Sequence, residues 1–162
     1  MSKLQIPDFL GIATQLKKDT RLYARRYCLQ WFDDSFKNQG FTDAAFEAWP
    51  KRDPDKDPGR AILTDTTFLR RSLAVLNEDA TSMQFGTHVP YAAVHNDGLR
   101  VRTVQNVRGF HRNRKGKREQ VKPHTRRRDT KYKQRKFIGE SKQMMDNLDQ
   151  WLLNEIEKRF KQ

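Results

Sequence analysis

Residues 9–36 read FLGIATQLKKDTRLYARRYCLQWFDDSF, and the rest of the chain is organised around this stretch. Its apolar side chains recur every three or four positions, which is typical of an amphipathic α-helix. One apolar stripe comprises Phe9, Ile12, Ala13, Leu16, Thr20, Tyr23, Tyr27 and Trp31, and a second comprises Leu22, Leu29, Phe32 and Phe36. At 100° per residue the two stripes lie roughly 150° apart. Such a helix is sandwiched, either inside the core or between the core and a neighbouring subunit, so the second stripe is our candidate subunit contact.

Downstream of this helix the sequence predicts a loop and then short elements. Gly40 is a good helix terminator. Residues 41–60 read as a loop, which the aromatic side chains Phe41, Phe46 and Trp49 could pin to the core. Thr64 or Asp65 could cap a helix that runs through Phe68, Leu69, Leu73 and Leu76. Alternation of apolar and polar residues predicts strands over 81–86 and 99–103.

The C-terminal part of the chain predicts a second long helix. Ser141 could cap it, and its apolar positions fall at helical spacing. These positions are Met144, Leu148, Trp151, Leu152, Ile156 and Phe160. The order helix, strands, basic segment, helix indicates an α+β fold, in which a small antiparallel β-sheet is packed by the N- and C-terminal helices. We expect residues 1–162 to form a single domain, since this length suits one hydrophobic core.

The positive charge of the chain is concentrated in one segment. The 162 residues carry a formal net charge of +13. Residues 108–136, the basic arm, hold fourteen Lys or Arg against Glu119 and Asp129, a net charge of +12, which leaves +1 for the rest. Gly109, Gly116 and Pro123 interrupt this arm, so we interpret it as a long β-hairpin or extended arm inserted in the domain.

The basic arm predicts a polyanionic partner. Its partner-facing cations are Arg112, Arg114, Lys115, Lys117, Arg118, Arg126, Arg127 and Arg128. Such side chains bind nucleic-acid phosphates without sequence preference and with strong salt dependence. Two other interpretations stay open: docking onto an acidic protein surface, and a charged segment that serves solubility alone. No recognition-helix pattern accompanies the charge, so base readout is not implied.

The sequence offers no pattern for catalysis, a metal or a cofactor. A single cysteine, Cys28, excludes both an intrachain disulfide and a Cys-rich zinc site. No Gly-rich phosphate loop is present, and the four histidines have no metal-ligand spacing. His95 with Asp97 could form a general-base pair, but we favour a ring that hydrogen-bonds the turn backbone and packs under Tyr91. We therefore predict a non-enzymatic protein without cofactors.

No membrane or export signal is expected either. No apolar run approaches the ~20 residues that a transmembrane helix needs. The N-terminus also lacks the apolar region of a signal peptide. We expect a protein that is made in the cytoplasm and has no membrane partner.

Three stretches, in order, carry a family resemblance. They are residues 61–73 (AILTDTTFLRRSL), 89–98 (VPYAAVHNDG) and 135–141 (RKFIGES). Together they resemble the sequence boxes of phage virion morphogenesis proteins, the Mu-type tail completion or head–tail joining proteins. Thr67 stands where the family usually has Gly, and Lys136 stands where it usually has Pro. The family-motif positions are Leu69, Ser72, Tyr91, Ala92, His95, Gly98, Phe137 and Gly139.

The resemblance implies a structural protein of the virion neck. It implies a homo-oligomeric ring, expected to be a hexamer, that completes the tail and joins it to the head. The expected partners are the tail tube and the connector or stopper proteins, together with the phage DNA that passes through the channel. The protein would be made in the host bacterial cytoplasm. The motif positions would then have structural rather than catalytic roles. The runner-up function is a non-enzymatic, sequence-independent DNA-binding protein that acts through the basic arm.

Overall fold

The structure, a computed structural model, describes residues 8–53 and 57–160. Its helices are α1 (Phe9–Asn38), α2 (Phe68–Arg71), α3 (Ala92–Asn96) and α4 (Lys142–Phe160). Its strands are β1 (Gly40–Thr42), β2 (Phe46–Ala48), β3 (Ala74–Glu78), β4 (Met83–Gly86), β5 (Arg100–Val107), β6 (Phe110–Arg114), β7 (Lys117–Val121) and β8 (His124–Lys131). The α+β class is confirmed. None of the described helices is long and apolar enough to cross a membrane.

The long N-terminal helix has a defined cap at each end. The carboxylate of Asp8 accepts a hydrogen bond from the backbone N of Gly11 at 2.9 Å, which satisfies one of the free amides of the first turn. The helix ends at Gln39, which takes the left-handed conformation with φ 57°. Gly40 is therefore not the terminating residue. A Cβ at Gly40 would lie within 2.5 Å of the ring of Phe46 and the carbonyl of Glu47, so close strand packing explains the glycine.

Helix α1 is buried over its C-terminal third. Cys28, Phe32, Ser35 and Phe36 are the buried residues of the helix. The prediction that Phe32 and Phe36 contact a neighbouring subunit is therefore wrong, because they are only 3% and 1% exposed and pack inside their own chain. Leu22, in contrast, is 59% exposed. The second stripe thus changes role along the helix, from surface near its middle to core near its end.

Two adjacent clusters form the hydrophobic core. The first comprises Phe36, Trp49, Leu69, Val89, Ala92 and Phe137, and the second comprises Cys28, Phe32, Phe41 and Met144. The indole N–H of Trp49 donates to the carbonyl of Lys136 at 2.7 Å, so the polar end of this buried ring is satisfied. Burying each large aromatic side chain stabilises the fold by about 1.5–3 kcal/mol.

The loop predicted over residues 41–60 contains a short hairpin. Strands β1 and β2 pair antiparallel, with Phe41 opposite Glu47. Phe41 and Trp49 are buried as expected, but Phe46 is 50% exposed and does not pin the segment to the core. Residues 54–56 of the predicted loop lie outside the described residues.

The helix predicted from residue 64 or 65 to Leu76 is formed only in its middle, and its last three residues belong to a strand. Only Phe68–Arg71 is helical, and Ala74–Glu78 forms β3. The hydroxyl of Ser72 donates to the carbonyl of Leu69 at 2.7 Å, which satisfies a terminal carbonyl where the helix ends. Strand β3 then pairs with β4, with a register shift between Val75 and Asn77. Pairing within a short hairpin has overridden a local periodicity that suited a helix.

Helices α1 and α4 lie antiparallel along the molecule. The rings of Phe9 and Phe160 stack with centroids 5.9 Å apart at one end. Further along, Tyr23 stacks on Trp151 at 4.0 Å. The hydroxyl of Ser141 accepts a hydrogen bond from the backbone N of Met144 at 3.1 Å, as predicted for the N-cap of α4.

Candidate assembly surfaces

The three sequence boxes converge on one structural cluster. Leu69, Ala92 and Phe137 come from different boxes and belong to the same core cluster. The side-chain oxygen of Asn96 accepts hydrogen bonds from the backbone N of Phe137 at 3.0 Å and of Ile138 at 3.2 Å. Phe137 is fully buried, so the hydrogen bond to Asn96 replaces the one to water that its backbone N–H has lost. The boxes therefore hold the fold together, and Asn96 links the second box to the third.

Ser72 and the two box glycines have local structural roles. The hydroxyl of Ser72 lies 2.6 Å from the hydroxyl of Thr87, which in turn accepts from the backbone N of Val89 at 3.1 Å. Gly98 has φ 67°, and a Cβ there would lie 2.9 Å from the backbone N of Gln134. Gly139 has φ 143°, another conformation that favours glycine. These positions set the path of the chain between the core and the strands.

His95 sits between two tyrosine rings in a half-buried site. Its ring meets Tyr91 at 6.1 Å and Tyr132 at 5.3 Å, both edge-on. The expected hydrogen bond to the turn backbone is not formed, because Nδ1 is buried without a partner. Burial, together with the charge of Arg135, lowers the pKa of His95 and favours the neutral ring. The carboxylate of Asp97 instead accepts from the side-chain amide of Asn96 at 2.8 Å.

The described residues show no assembled catalytic or metal centre. No group of three or more His, Cys, Asp or Glu side chains in this part of the chain could hold a metal ion. Cys28 is buried in the core, and burial raises the pKa of its thiol, which keeps it protonated. A protonated, buried thiol is a poor nucleophile.

The basic arm lies within a long antiparallel hairpin, Arg100–Lys131. Strand β5 pairs with β8 from Arg100↔Lys131 to Val107↔His124, and β6 pairs with β7 from Phe110↔Val121 to Arg114↔Lys117. The hairpin thus begins at Arg100, before the basic arm. Between the two pairs the ladder is interrupted near Pro123, which has no N–H to donate. Eight paired residues extend about 27 Å, and the outer five extend about 17 Å more.

The tip of the hairpin is a tight two-residue turn. Lys115 and Gly116 have φ 49° and 77° and connect the paired residues Arg114 and Lys117. Positive φ at both central residues is the signature of a type I′ turn, whose twist suits a hairpin. The turn gives the hairpin a fixed register at its tip, where cations from both strands meet.

The hairpin stands away from the body of the protein. Strands β6 and β8 are exposed along most or all of their length, and β5 is half-buried only at Val101 and Val107. Hydrogen bonds at the base join the backbone N of Tyr132 to the carbonyl of Leu99 at 3.1 Å. The guanidinium of Arg135 donates to the carbonyl of Pro50 at 2.9 Å and ties the returning chain to the body. Among the described residues, the contacts that anchor the hairpin to the body therefore lie at its base.

The charges of the hairpin divide into paired and free cations. Arg100 and Arg102 both hold Asp129, at 2.6 and 3.2 Å. Arg112 holds Glu119 at 3.1 Å. The other predicted partner-facing cations make no ion pair with the described residues. These free cations are Arg114, Lys115, Lys117, Arg118, Arg126, Arg127 and Arg128.

An apolar groove runs between α1, α4 and the β4 region, and its cavity volume is about 860 Å³. The residues that line it include Leu16, Met83, Met144 and Leu152. Sequence reasoning did not identify this groove. The available signal was that both long helices have apolar stripes that extend beyond the residues that become buried, such as Leu16 on α1 and Ile156 on α4.

The exposed end of the second stripe on α1 borders β3. Leu29 lines a shallow concavity with Leu73 and Leu76. Leu22 lies about two turns before Leu29 on α1 and is exposed. Arg21 and Arg25 on the same helix both pair with Glu78 of β3. Leu22 and Leu29 are thus the members of the second stripe that a neighbour could reach.

Comparison with known proteins gives one match. A family model described as the phage virion morphogenesis family matches residues 34–157, well over half of the chain. The matched segment contains all three sequence boxes, the hairpin and most of α4. No curated protein and no solved structure matches the chain.

Proposed function

This chain belongs to the phage virion morphogenesis family, and from that premise we propose that it forms an oligomeric ring in the neck of a tailed bacteriophage. The family assigns it a structural role in building the virion. In the proposed role, the ring completes the tail and joins it to the head. Its partners are further copies of the chain, expected as a hexamer, with the tail tube and the connector or stopper proteins, and the DNA in the channel.

The observation that carries this proposal is a hairpin whose strands β6 and β8 are exposed along their whole length in the part of the chain that the structure describes. An isolated two-stranded hairpin is only marginally stable in water. Here the hairpin extends roughly 40 Å and keeps both its outer edges unpaired in the described chain. An element of this kind gains its stabilising contacts from a neighbour. A neck ring, which touches rings above and below it, supplies such neighbours.

In this proposal, the exposed apolar residues beside β3 make the contacts between copies of the chain. Leu22 and Leu29 lie on one side of α1, and Leu76 of β3 is partly exposed next to them. Accessible leucines on the same side of a helix favour a protein contact over open solvent. In the proposed ring, this surface meets an adjacent copy, while the hairpin reaches either a neighbouring ring or the DNA channel.

The test is the molecular mass in solution with and without the hairpin. Residues 100–131 are replaced by a short Gly-Ser linker, which the hydrogen bond between Tyr132 and Leu99 makes geometrically easy. Both proteins are measured by light scattering at low and high salt, alone and with purified tails that lack this protein. We expect the full chain to form a ring, alone or on the tails, and the shortened chain to lose it.

A pair of matched substitutions tests the contact between copies. Leu22→Asp places a charge in the proposed interface and is expected to prevent ring formation. Leu153→Asp places the same charge at an equally exposed leucine of α4 and is expected to leave the ring intact. A full chain that stays monomeric in every condition and does not associate with tails would overturn the neck proposal.

The runner-up function is a DNA-binding protein that takes no part in assembly. The free cations of the hairpin are the observation that favours it. Strong, salt-dependent DNA binding by a monomer that never joins tail components would support this alternative. A ring that forms without DNA would instead support the neck role.

A further inference from the structure

We propose that one face and the tip of the hairpin bind the phosphate backbone of double-stranded DNA, an inference that rests on the proposed role in the neck. The cations that would do so are Arg114, Lys115, Lys117, Arg118, Arg126 and Arg128. The binding is independent of base sequence. It names the partner of the hairpin, which the ring proposal leaves open.

The strand register places two free arginines on one face. Arg126 lies opposite Gln105, and Arg128 lies opposite Thr103, so all four side chains share a face. Residues two apart on a strand are about 6.8 Å apart, which allows the guanidinium groups to contact separate phosphates. Amide and hydroxyl groups such as those of Gln105 and Thr103 also donate to phosphate oxygens.

The opposite face is chemically different. Arg100 and Arg102 lie there with Asp129, which is held by both arginines. These three side chains neutralise one another in part and fix the base of the hairpin. Arg127 and Lys131 also lie on the Asp129 face, so the two faces differ in their carboxylates rather than in their number of cations. On the Asp129 face a carboxylate competes with a ligand for the cations, whereas no carboxylate of β5 or β8 lies on the face of Arg126 and Arg128.

The tip concentrates cations that repel one another. Arg114 and Lys117 are directly opposite, with Lys115 in the turn between them. Like charges in directly opposed cross-strand positions destabilise a hairpin. A polyanion relieves this repulsion, so binding and ordering of the tip support each other.

Double-stranded DNA fits this element better than a second copy of the chain. Several carboxylates of the body are already held by arginines: Asp19 by Arg159, Asp33 by Arg70, and Glu78 by Arg21 and Arg25. These carboxylates of a second copy are compensated, whereas each phosphate of a duplex carries a negative charge that a protein cation can neutralise. The major groove of duplex DNA, in contrast, admits a two-stranded β-ribbon between two rows of phosphates.

Single-stranded nucleic acid fits less well, because binding to it depends on aromatic side chains that stack on the bases. The only aromatic ring in the strands of the hairpin, apart from histidines, is Phe110, and it lies in β6 opposite Val121. Contacts to the phosphate backbone, rather than to bases, are what these side chains provide.

The test is the salt dependence of DNA binding by the full chain. A mixed-sequence duplex of about 30 base pairs, longer than the hairpin can reach, is titrated at about 0.05–0.3 M salt. Six phosphate contacts predict a slope of log K against log salt of about −5. Arg126→Gln with Arg128→Gln is expected to reduce the steepness by about 2 and the affinity at 0.1 M salt by roughly tenfold for each lost contact.

Two control variants distinguish an effect of the Arg126 face from a general effect of net charge. Arg100→Gln with Arg102→Gln removes the same charge from the Asp129 face and is expected to change the slope by less than about 1. Arg126→Lys with Arg128→Lys keeps the charge and is expected to retain the slope of the unmodified chain. Equal losses in the two glutamine variants would overturn the assignment to one face.

The outcomes also distinguish this inference from the neck proposal. A ring that assembles on tails but binds duplex DNA no better at low salt than at high salt overturns the DNA inference and points to a protein partner. A chain that binds DNA with the expected slope but never assembles overturns the neck proposal. Tighter binding to a single strand of the same length than to the duplex would also contradict the inference.

Discussion

At the scale of single residues, the backbone amides of the third box depend on one side chain. The chain re-enters the core at Phe137 after the hairpin, and its amide and that of Ile138 both donate to Asn96. A buried amide without an acceptor is costly, because it has lost its hydrogen bonds to water. The position of α3 and the start of α4 are therefore coupled through Asn96.

Asn96→Ala is expected to lower the free energy of unfolding by about 1–3 kcal/mol, because it leaves two part-buried amides without an acceptor. Chemical denaturation monitored by tryptophan fluorescence measures this change. Asn154→Ala, at an exposed position of α4, is the matched control and is expected to stay within about 0.5 kcal/mol of the unmodified chain. Equal effects of the two substitutions would show that Asn96 does not have this role.

At the scale of elements, the hairpin combines a favourable turn type with an unfavourable residue. Lys115 adopts φ 49°, where residues other than Gly, Asn and Asp are uncommon. The following Gly116 suits its own positive φ. The hairpin is thus held by its ladders and by its base, while its tip carries both backbone strain and repulsion between cations.

Lys115→Asn is expected to stabilise the outer part of the hairpin, since Asn-Gly is a preferred type I′ turn. Amide hydrogen exchange in β6 and β7 should slow by about two- to fivefold, equivalent to about 0.5–1 kcal/mol. Lys117→Asn removes the same charge at a position inside a strand and provides the control. If both variants slow the exchange equally, relief of repulsion rather than turn geometry is the cause.

At the scale of the whole molecule, ion pairs that are distant in sequence join α1 to the other elements. Asp19 pairs with Arg159 of α4, Asp33 with Arg70 of α2, and Glu78 of β3 with two arginines of α1. In each case the arginine partner, as the largest cause, lowers the pKa of the carboxyl group. The pKa of Asp33 falls to about 2.

These lowered values predict that acid destabilises the fold. Because the folded pKa lies below the unfolded one, the unfolded state binds more protons, and stability is lost as the pH falls from about 5 towards 2. Asp33→Asn is expected to cost less than about 1 kcal/mol at pH 7, since the pair is partly exposed to solvent, and progressively less as the pH falls to about 2 and below. Unfolding free energies over this pH range test it, with Asp149→Asn as the control. A D33N chain with the unmodified pH profile would contradict the assignment.

The two long helices, the strands β4 and β5, the α+β class and the family were predictable from the amino-acid pattern. Helices α1 and α4 each repeat their periodicity over several turns, so many positions report the same element. The three boxes identified the family, which the matched family model confirms. The concentration of charge also identified the arm, because it depends on composition alone.

Short elements and surfaces depended on contacts between distant residues. Residues 68–76 satisfy a helical pattern locally, yet the chain from Ala74 onward pairs with β4, because a ladder and the packing of Leu73 outweigh the weak preference of a short segment. Phe32 and Phe36 lie on the same stripe as Leu22, and only the packing of β1, α4 and the third box separates core from surface along it. Periodicity specifies which side of a helix is apolar. Which part of that side is covered depends on the elements that fold against it.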